Sequence, residues 1–145
     1  MDRQYSLLIV DDEPGIRDNF SKFFAKRGFD VDTAENGLDG LQKLRSDEFD
    51  VAIIDIKMPE MDGIELARKI QEEGIDASII ILTGHGEKED AVEAINIGVD
   101  AWFEKHKMGS VEAMDTLLAK VKAVAEVIPL DTVRKILSDI PDKDL

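Results

Sequence analysis

Val51-Ala52-Ile53-Ile54-Asp55-Ile56-Lys57-Met58-Pro59-Glu60-Met61-Asp62-Gly63 is the stretch that decides the fold. Its first four residues are an apolar run, the run stops at a carboxylate, and Pro59 and Gly63 bound the loop that follows. A run this short and continuous reads as a strand buried on both faces, the pattern of a parallel sheet. Asp55 then ends the strand, rigidly held yet open to water and reagents. Open α/β sheets bind their ligands outside the carboxyl ends of their strands. The plainer reading of Asp55 is a strand-ending residue that caps a turn.

A second run of the same kind, Ser6-Leu7-Leu8-Ile9-Val10, also ends in acid, at Asp11-Asp12-Glu13-Pro14. Adjacent carboxylates repel one another, and a divalent cation removes that cost. Mg²⁺ prefers oxygen ligands and takes one or two carboxylates together with a phosphate. Part of the acid run also suits a solvated helix start, with Pro14 early in the helix.

The remaining chain repeats the alternation. Leu7–Val10 and Val31–Ala34 read as the first two strands, the second with polar Asp32 and Thr33 and so near a sheet edge. Val51–Ile54, Ser78–Thr83 and Ala101–Glu104 complete five. Between them lie helical stripes: Ile16, Phe20, Phe23 and Phe24, stopped by Gly28; Leu38, Leu41 and Leu44 after the Asn36-Gly37 turn; Ile64, Leu66, Ala67 and Ile70, closed near Gly74; Ala91, Val92 and Ile95, ending at Gly98. A last stripe runs through Val111, Met114, Leu118, Val121, Ala125 and Ile128, better suited to packing on the sheet than to dimerisation. Strict β-α alternation predicts an α/β fold: a doubly wound, five-stranded parallel sheet of order 2-1-3-4-5, flavodoxin-like, with right-handed crossovers.

In that order the switch point lies between the first and third strands, so Asp11 and Asp12 converge with Asp55. Thr83 and Lys105, at the ends of the fourth and fifth strands, point to the same edge. Three carboxylates, a hydroxyl and an ammonium suit a carboxylate that accepts a phosphoryl group as an aspartyl phosphate, with Mg²⁺, the hydroxyl and the lysine each meeting a phosphate oxygen.

Composition narrows the alternatives. The 145 residues suit one domain with a real core. A formal net charge of −14 argues against nucleic-acid binding and against anionic membranes. With no cysteine, disulfides, thiolate catalysis and thiolate metal sites are excluded. No apolar run reaches membrane-spanning length and no signal-like segment precedes the first strand, so a cytoplasmic protein is expected.

Val10-Asp11-Asp12-Glu13, the Asp55–Gly63 stretch, Leu82-Thr83-Gly84 and Gly98-Val99-Asp100-Ala101-Trp102-Phe103-Glu104-Lys105 together resemble the receiver domain of two-component response regulators, over residues 5 to 126. The resemblance implies that Asp55 is the phosphoacceptor. It implies that Asp12 binds Mg²⁺ directly and Asp11 through water, with Asp55 and the Lys57 carbonyl completing the ligands. Thr83 and Lys105 would hold phosphoryl oxygens. Thr83 and Trp102 would switch the face made by the fourth helix, fifth strand and fifth helix. Lys57 and His85 would occupy positions that tune phosphoryl lifetime. The implied partner is a histidine kinase or phosphotransfer protein, with a monomer or a phosphorylation-dependent dimer as the assembly.

Two departures stand out. The family follows its lysine with a cis proline, whereas this chain has Lys105-His106, a bond that is either trans or unusually costly as cis. Trp102 replaces the usual tyrosine or phenylalanine, and a packed interior resists added volume. A Mg²⁺-dependent hydrolase of the haloacid-dehalogenase type is the enzymatic alternative, but its two aspartates stand two apart where Asp11 and Asp12 are adjacent. A third reading is a binding domain that keeps the fold without phosphorylation. Residues 1–126 are expected to form the receiver, and 127–145 a C-terminal extension or linker. Pro129 would break the preceding helix. Asp131 would cap a short helix carrying Val133, Ile136, Leu137 and Ile140. No output domain signature follows.

Overall fold

The computed structural model describes residues 4–84, 86–126 and 130–140. Strands β1 (Ser6–Val10), β2 (Asp30–Ala34), β3 (Val51–Ile54), β4 (Ser78–Thr83) and β5 (Ala101–Glu104) pair in parallel in the order β2-β1-β3-β4-β5. Every residue of β3 is buried, as a central strand coated on both faces requires. Edge strand β2 alternates exposed and half-buried residues up to Ala34, which explains its tolerance of Asp32 and Thr33.

Helices cover both faces. On one side α2 (Gly37–Ser46), α3 (Gly63–Glu72) and α4 (Lys88–Ile97) pack on Leu8, Val10, Ala52, Ile54, Ile79 and Ile81. On the other, α1 (Pro14–Ala25) and α5 (Val111–Ala125) cover Leu7, Ile9, Val51, Ile53, Ile80 and Leu82. Each fully buried aliphatic side chain contributes about 1.5–3 kcal/mol. The α2, α3 and α5 starts are fixed by Asn36, Asp62 and Ser110, whose side chains accept from Asp39 N, Glu65 N and Ala113 N. Gly98 ends α4 in the left-handed region at φ 96°.

The helical stripes differ from expectation at the rim. Leu38, Val92, Ile95 and Val111 are exposed, at 41%, 50%, 74% and 78%. Helix α4 instead buries Ala94 and Ile97, and α5 buries Leu117, Val121, Val124 and Ala125. The apolar residues of α4 therefore spread wider than the face it presents to the sheet. A further helix α6 (Leu130–Ser138) follows, with Ile136 and Leu137 half-exposed. Ile128, Pro129 and the Asp131 side chain lie outside the described residues.

Candidate phosphoryl-acceptor site

Among the described residues, the buried polar or charged side chains of the core are Asp11, Asp55 and Thr83, each 2% exposed. All stand at the carboxyl edge of the sheet, where burial of a polar group needs a partner or a purpose. The ladder places them. Val10 pairs with Ile54, Asp55 N donates to Val10 O at 2.9 Å, and Asp11 N donates to Ala34 O at 3.1 Å. The two aspartates are thus set side by side by backbone bonds.

Their carboxylates are held alike. Asp11 Oδ1 accepts from Glu13 N at 2.9 Å, and Asp55 Oδ1 from Ile56 N at 2.8 Å. The second oxygens share Lys105, whose Nζ lies 2.8 Å from Asp11 Oδ2 and 3.0 Å from Asp55 Oδ2. Glu13 Oε1 is 3.6 Å from the same ammonium. Burial pushes the Asp11 carboxyl above its usual range, and proximity to Asp55 adds to the rise. The Lys105 and Glu13 hydrogen bonds oppose it without cancelling it. Burial alone would lower Lys105, yet the hydrogen bonds it donates to Asp11 and Asp55 leave it above its ordinary value and firmly charged. The side chain of Lys105 is 11% exposed, against 68% and 67% for His106 and Lys107, which gather around Glu104. Lys105 is therefore not a solvated charge like its neighbours.

Asp12 is exposed, and one oxygen from each of Asp11, Asp12 and Asp55 lies within 4.8 Å of the others. Four carboxylates, counting Glu13, face one ammonium, so three negative charges remain uncompensated. An all-oxygen donor set with this charge excess fits a hard divalent cation. Asp12 and Lys57 line the same cavity of about 480 Å³ with Ile56, Met58, Pro59, Asp62 and Asp90, which brings the Lys57 segment beside the acid cluster. The Lys57 side chain itself is exposed.

Thr83 ends β4 opposite Glu104, one residue before Lys105. Trp102 lies opposite Ile81 and packs, half-buried, on the α2–α3–α4 side. Every peptide bond among the described residues is trans, that of Lys105-His106 included, and Lys105 still reaches both aspartates. His85 lies outside the described residues.

Two residues that the sequence reading quoted without a role at the site belong to it. Glu13 extends the acid run to Lys105. Gly63 lets the loop fold back on the end of β3: Gly63 N donates to Ile56 O at 2.7 Å, and a Cβ there would overlap the Asp55 carbonyl. The Asp62-Gly63 pair before a helical stripe was its only local signal.

The sequence matches the family model of the response regulator receiver domain over residues 7–126. The chain belongs to the response regulator receiver family. Receivers are phosphoacceptor signalling modules of two-component systems, a family other than the haloacid-dehalogenase hydrolases. Among curated relatives, this receiver is 29% identical over 118 residues to the response regulator MprA of Mycobacterium ulcerans, covering 81% of this chain and 49% of that protein. It is 40% identical over 99 residues to the transcriptional regulatory protein GlrR of Escherichia coli, covering 68% of this chain and 22% of that one. The receiver thus spans half or less of these relatives' length. Among solved structures, a CheY-like receiver domain protein from Methanospirillum hungatei superposes with a TM-score of 0.75 at 28% identity, over 84% of this chain and 97% of that one. TrrA from Thermotoga maritima, solved in complex with Mg(2+)-BeF, gives 0.72 at 35% identity over 83% and 99%. Among the described residues no helix is long and apolar enough to cross a membrane.

Proposed function

We propose that Asp55 is the phosphoacceptor of this receiver, with Thr83 and Lys105 as the groups that hold the incoming phosphoryl oxygens. The observation that carries the reading is the half-buried ammonium of Lys105 bridging Asp11 and Asp55. It already stands where new negative charge would appear. An Asp55 carboxylate oxygen attacks the phosphorus of a phosphohistidine, the O–P bond forms as the N–P bond breaks, and the imidazole leaves with the electron pair. Lys105 exchanges part of its contact with Asp55 for a phosphoryl oxygen.

Asp11, Asp12, Asp55 and the Lys57 carbonyl would hold Mg²⁺. Bound there, the ion neutralises phosphate oxygens and relieves the repulsion within the acid cluster. TrrA, solved with Mg(2+)-BeF, supports the use of a divalent metal by similarity. The partner is a histidine kinase or phosphotransfer protein in the cytoplasm, and the output is carried by another domain or protein. Residues 1–126 act as the receiver and 127–145 as an extension from it. No external metabolite is turned over.

Intact-protein mass after incubation with acetyl phosphate tests the reading. One phosphoryl adduct that requires Mg²⁺ and is absent in Asp55→Asn is expected. An adduct that survives Asp55→Asn, or turnover of a small phosphoester, would contradict it.

A further inference from the structure

Trp102 is the single tryptophan of the chain, and the room it occupies comes from a distant residue. Alternation along the paired strands puts Trp102, Ile81 and Thr83 on one face. Gly86, three residues after Thr83, closes against the indole. A Cβ built on Gly86 would overlap indole Cζ2 and lie 2.8 Å from Cη2 and 3.0 Å from Thr83 Cγ2. The indole atoms met are the far edge of the benzo ring, beyond the reach of a phenylalanine ring in the same rotamer. The glycines with positive φ are Gly28, Gly74 and Gly98. Gly86 is not among them, so its missing side chain supplies space rather than backbone freedom. Gly84 in the same loop provides the contrast: a Cβ there meets only Lys105 Cβ and Cδ at 3.9 Å, an ordinary contact.

We propose that Gly86 is the positioning residue of the Thr83–Trp102 pair: an indole lies beside Thr83 because residue 86 has no side chain. The indole, the Gly86 backbone and the Thr83 methyl then share one packed volume. Movement of Thr83 or its loop toward Asp55 changes the space left for the ring. This coupling rests on the proposed role of Thr83 at the phosphoryl group; the seat itself does not. It also answers how tryptophan fits at a position where added volume is resisted.

The seat is tested in metal-free, unphosphorylated protein by Trp102 emission and acrylamide quenching. Gly86→Ala is expected to shift the emission to the red and raise the quenching constant, while Gly84→Ala keeps the wild-type values. Gly86→Ala is also expected to destabilise the protein less when combined with Trp102→Phe, because the overlapping atoms are gone. If Gly86→Ala alone fails to fold, the double variant must fold. Wild-type emission and quenching in Gly86→Ala, or an equal loss of stability with and without Trp102→Phe, would overturn the proposal. These readouts use no phosphoryl group. A wild-type protein that takes up no phosphoryl from acetyl phosphate would therefore overturn the proposed function and leave the seat standing.

Discussion

Strand β3 is buried along its whole length and strand β5 is half-buried along its whole length, yet they deliver Asp55 and Lys105 to one point, 3.0 Å apart. β3 has neighbours on both sides, β1 and β4, and Asp55 is further pinned through Val10 O and Ile56 N. β5 has one neighbour and leads into a 3₁₀ turn at Lys105–Lys107. Beside it α4 and α5 leave Val92, Ile95 and Val111 in solvent. Regions with few buried apolar contacts open at lower free energy than the core. Under the proposed function the contrast becomes a division of labour: charge would change at a fixed point on the rigid strand, and the response would fall to the loosely packed edge.

The rigid half should break first under added volume. Gly63→Ala would push a methyl into the Asp55 carbonyl, the Asp55 carbonyl carbon and the Ile56 Cα, backbone that cannot give without moving the acceptor. A loss of about 3 kcal/mol in urea unfolding is expected. Gly15→Ala, in open space on α1, should instead gain up to about 1 kcal/mol. Equal effects at the two glycines would mean that the acceptor loop is not rigid.

The charge excess makes a second, slightly smaller prediction. Mg²⁺ at a hundredfold excess over its dissociation constant should stabilise the protein by about 2.7 kcal/mol, seen as a higher thermal midpoint. Asp12→Ala should abolish the effect at little structural cost, since Asp12 is exposed. Persistence of the effect would put the ion elsewhere.

Asp11 adds a pH dependence with a definite sign. Its folded carboxyl holds its proton above the usual value of 3.8. Its contribution to stability is therefore present below that value and lost as pH rises through the raised one. In EDTA, Asp11→Asn should be the more stable protein at pH 7, and its advantage in melting temperature should shrink as pH falls toward 4. An advantage that grows on acidification would contradict the burial argument.

The smallest effect concerns Glu60, among the described residues the non-glycine residue with positive φ, at 70°. Glu60→Gly should gain about 0.5–1 kcal/mol in urea unfolding by relieving left-handed strain, less the entropy lost by glycine. No gain would mean that the loop holds this conformation without cost.

Much of this contrast was legible in the chain. Continuous apolar runs revealed β1, β3 and β4 because both faces are buried, and the residue that ends each run could be read as a ligand-edge group. That is how Asp11, Asp55 and Thr83 came to one edge, with Lys105 added by the β-α alternation that placed a fifth strand before it. What stayed hidden depends on approach through space. Gly63 against Asp55 and Gly86 against Trp102 are separated by 8 and 16 positions, and no local pattern records the contacts themselves. The exposure of Val92, Ile95 and Val111 was hidden because helical spacing reports an apolar stripe, not how much of it the sheet can cover.

Backbone hydrogen exchange, with and without Mg²⁺ and beryllium fluoride, tests the division between rigid strand and responsive edge most directly. The account predicts unchanged protection in β1 and β3 and altered protection in the β4–α4 loop, α4 and β5. Altered protection in β1 and β3, or none at the β4–β5 edge, would contradict it.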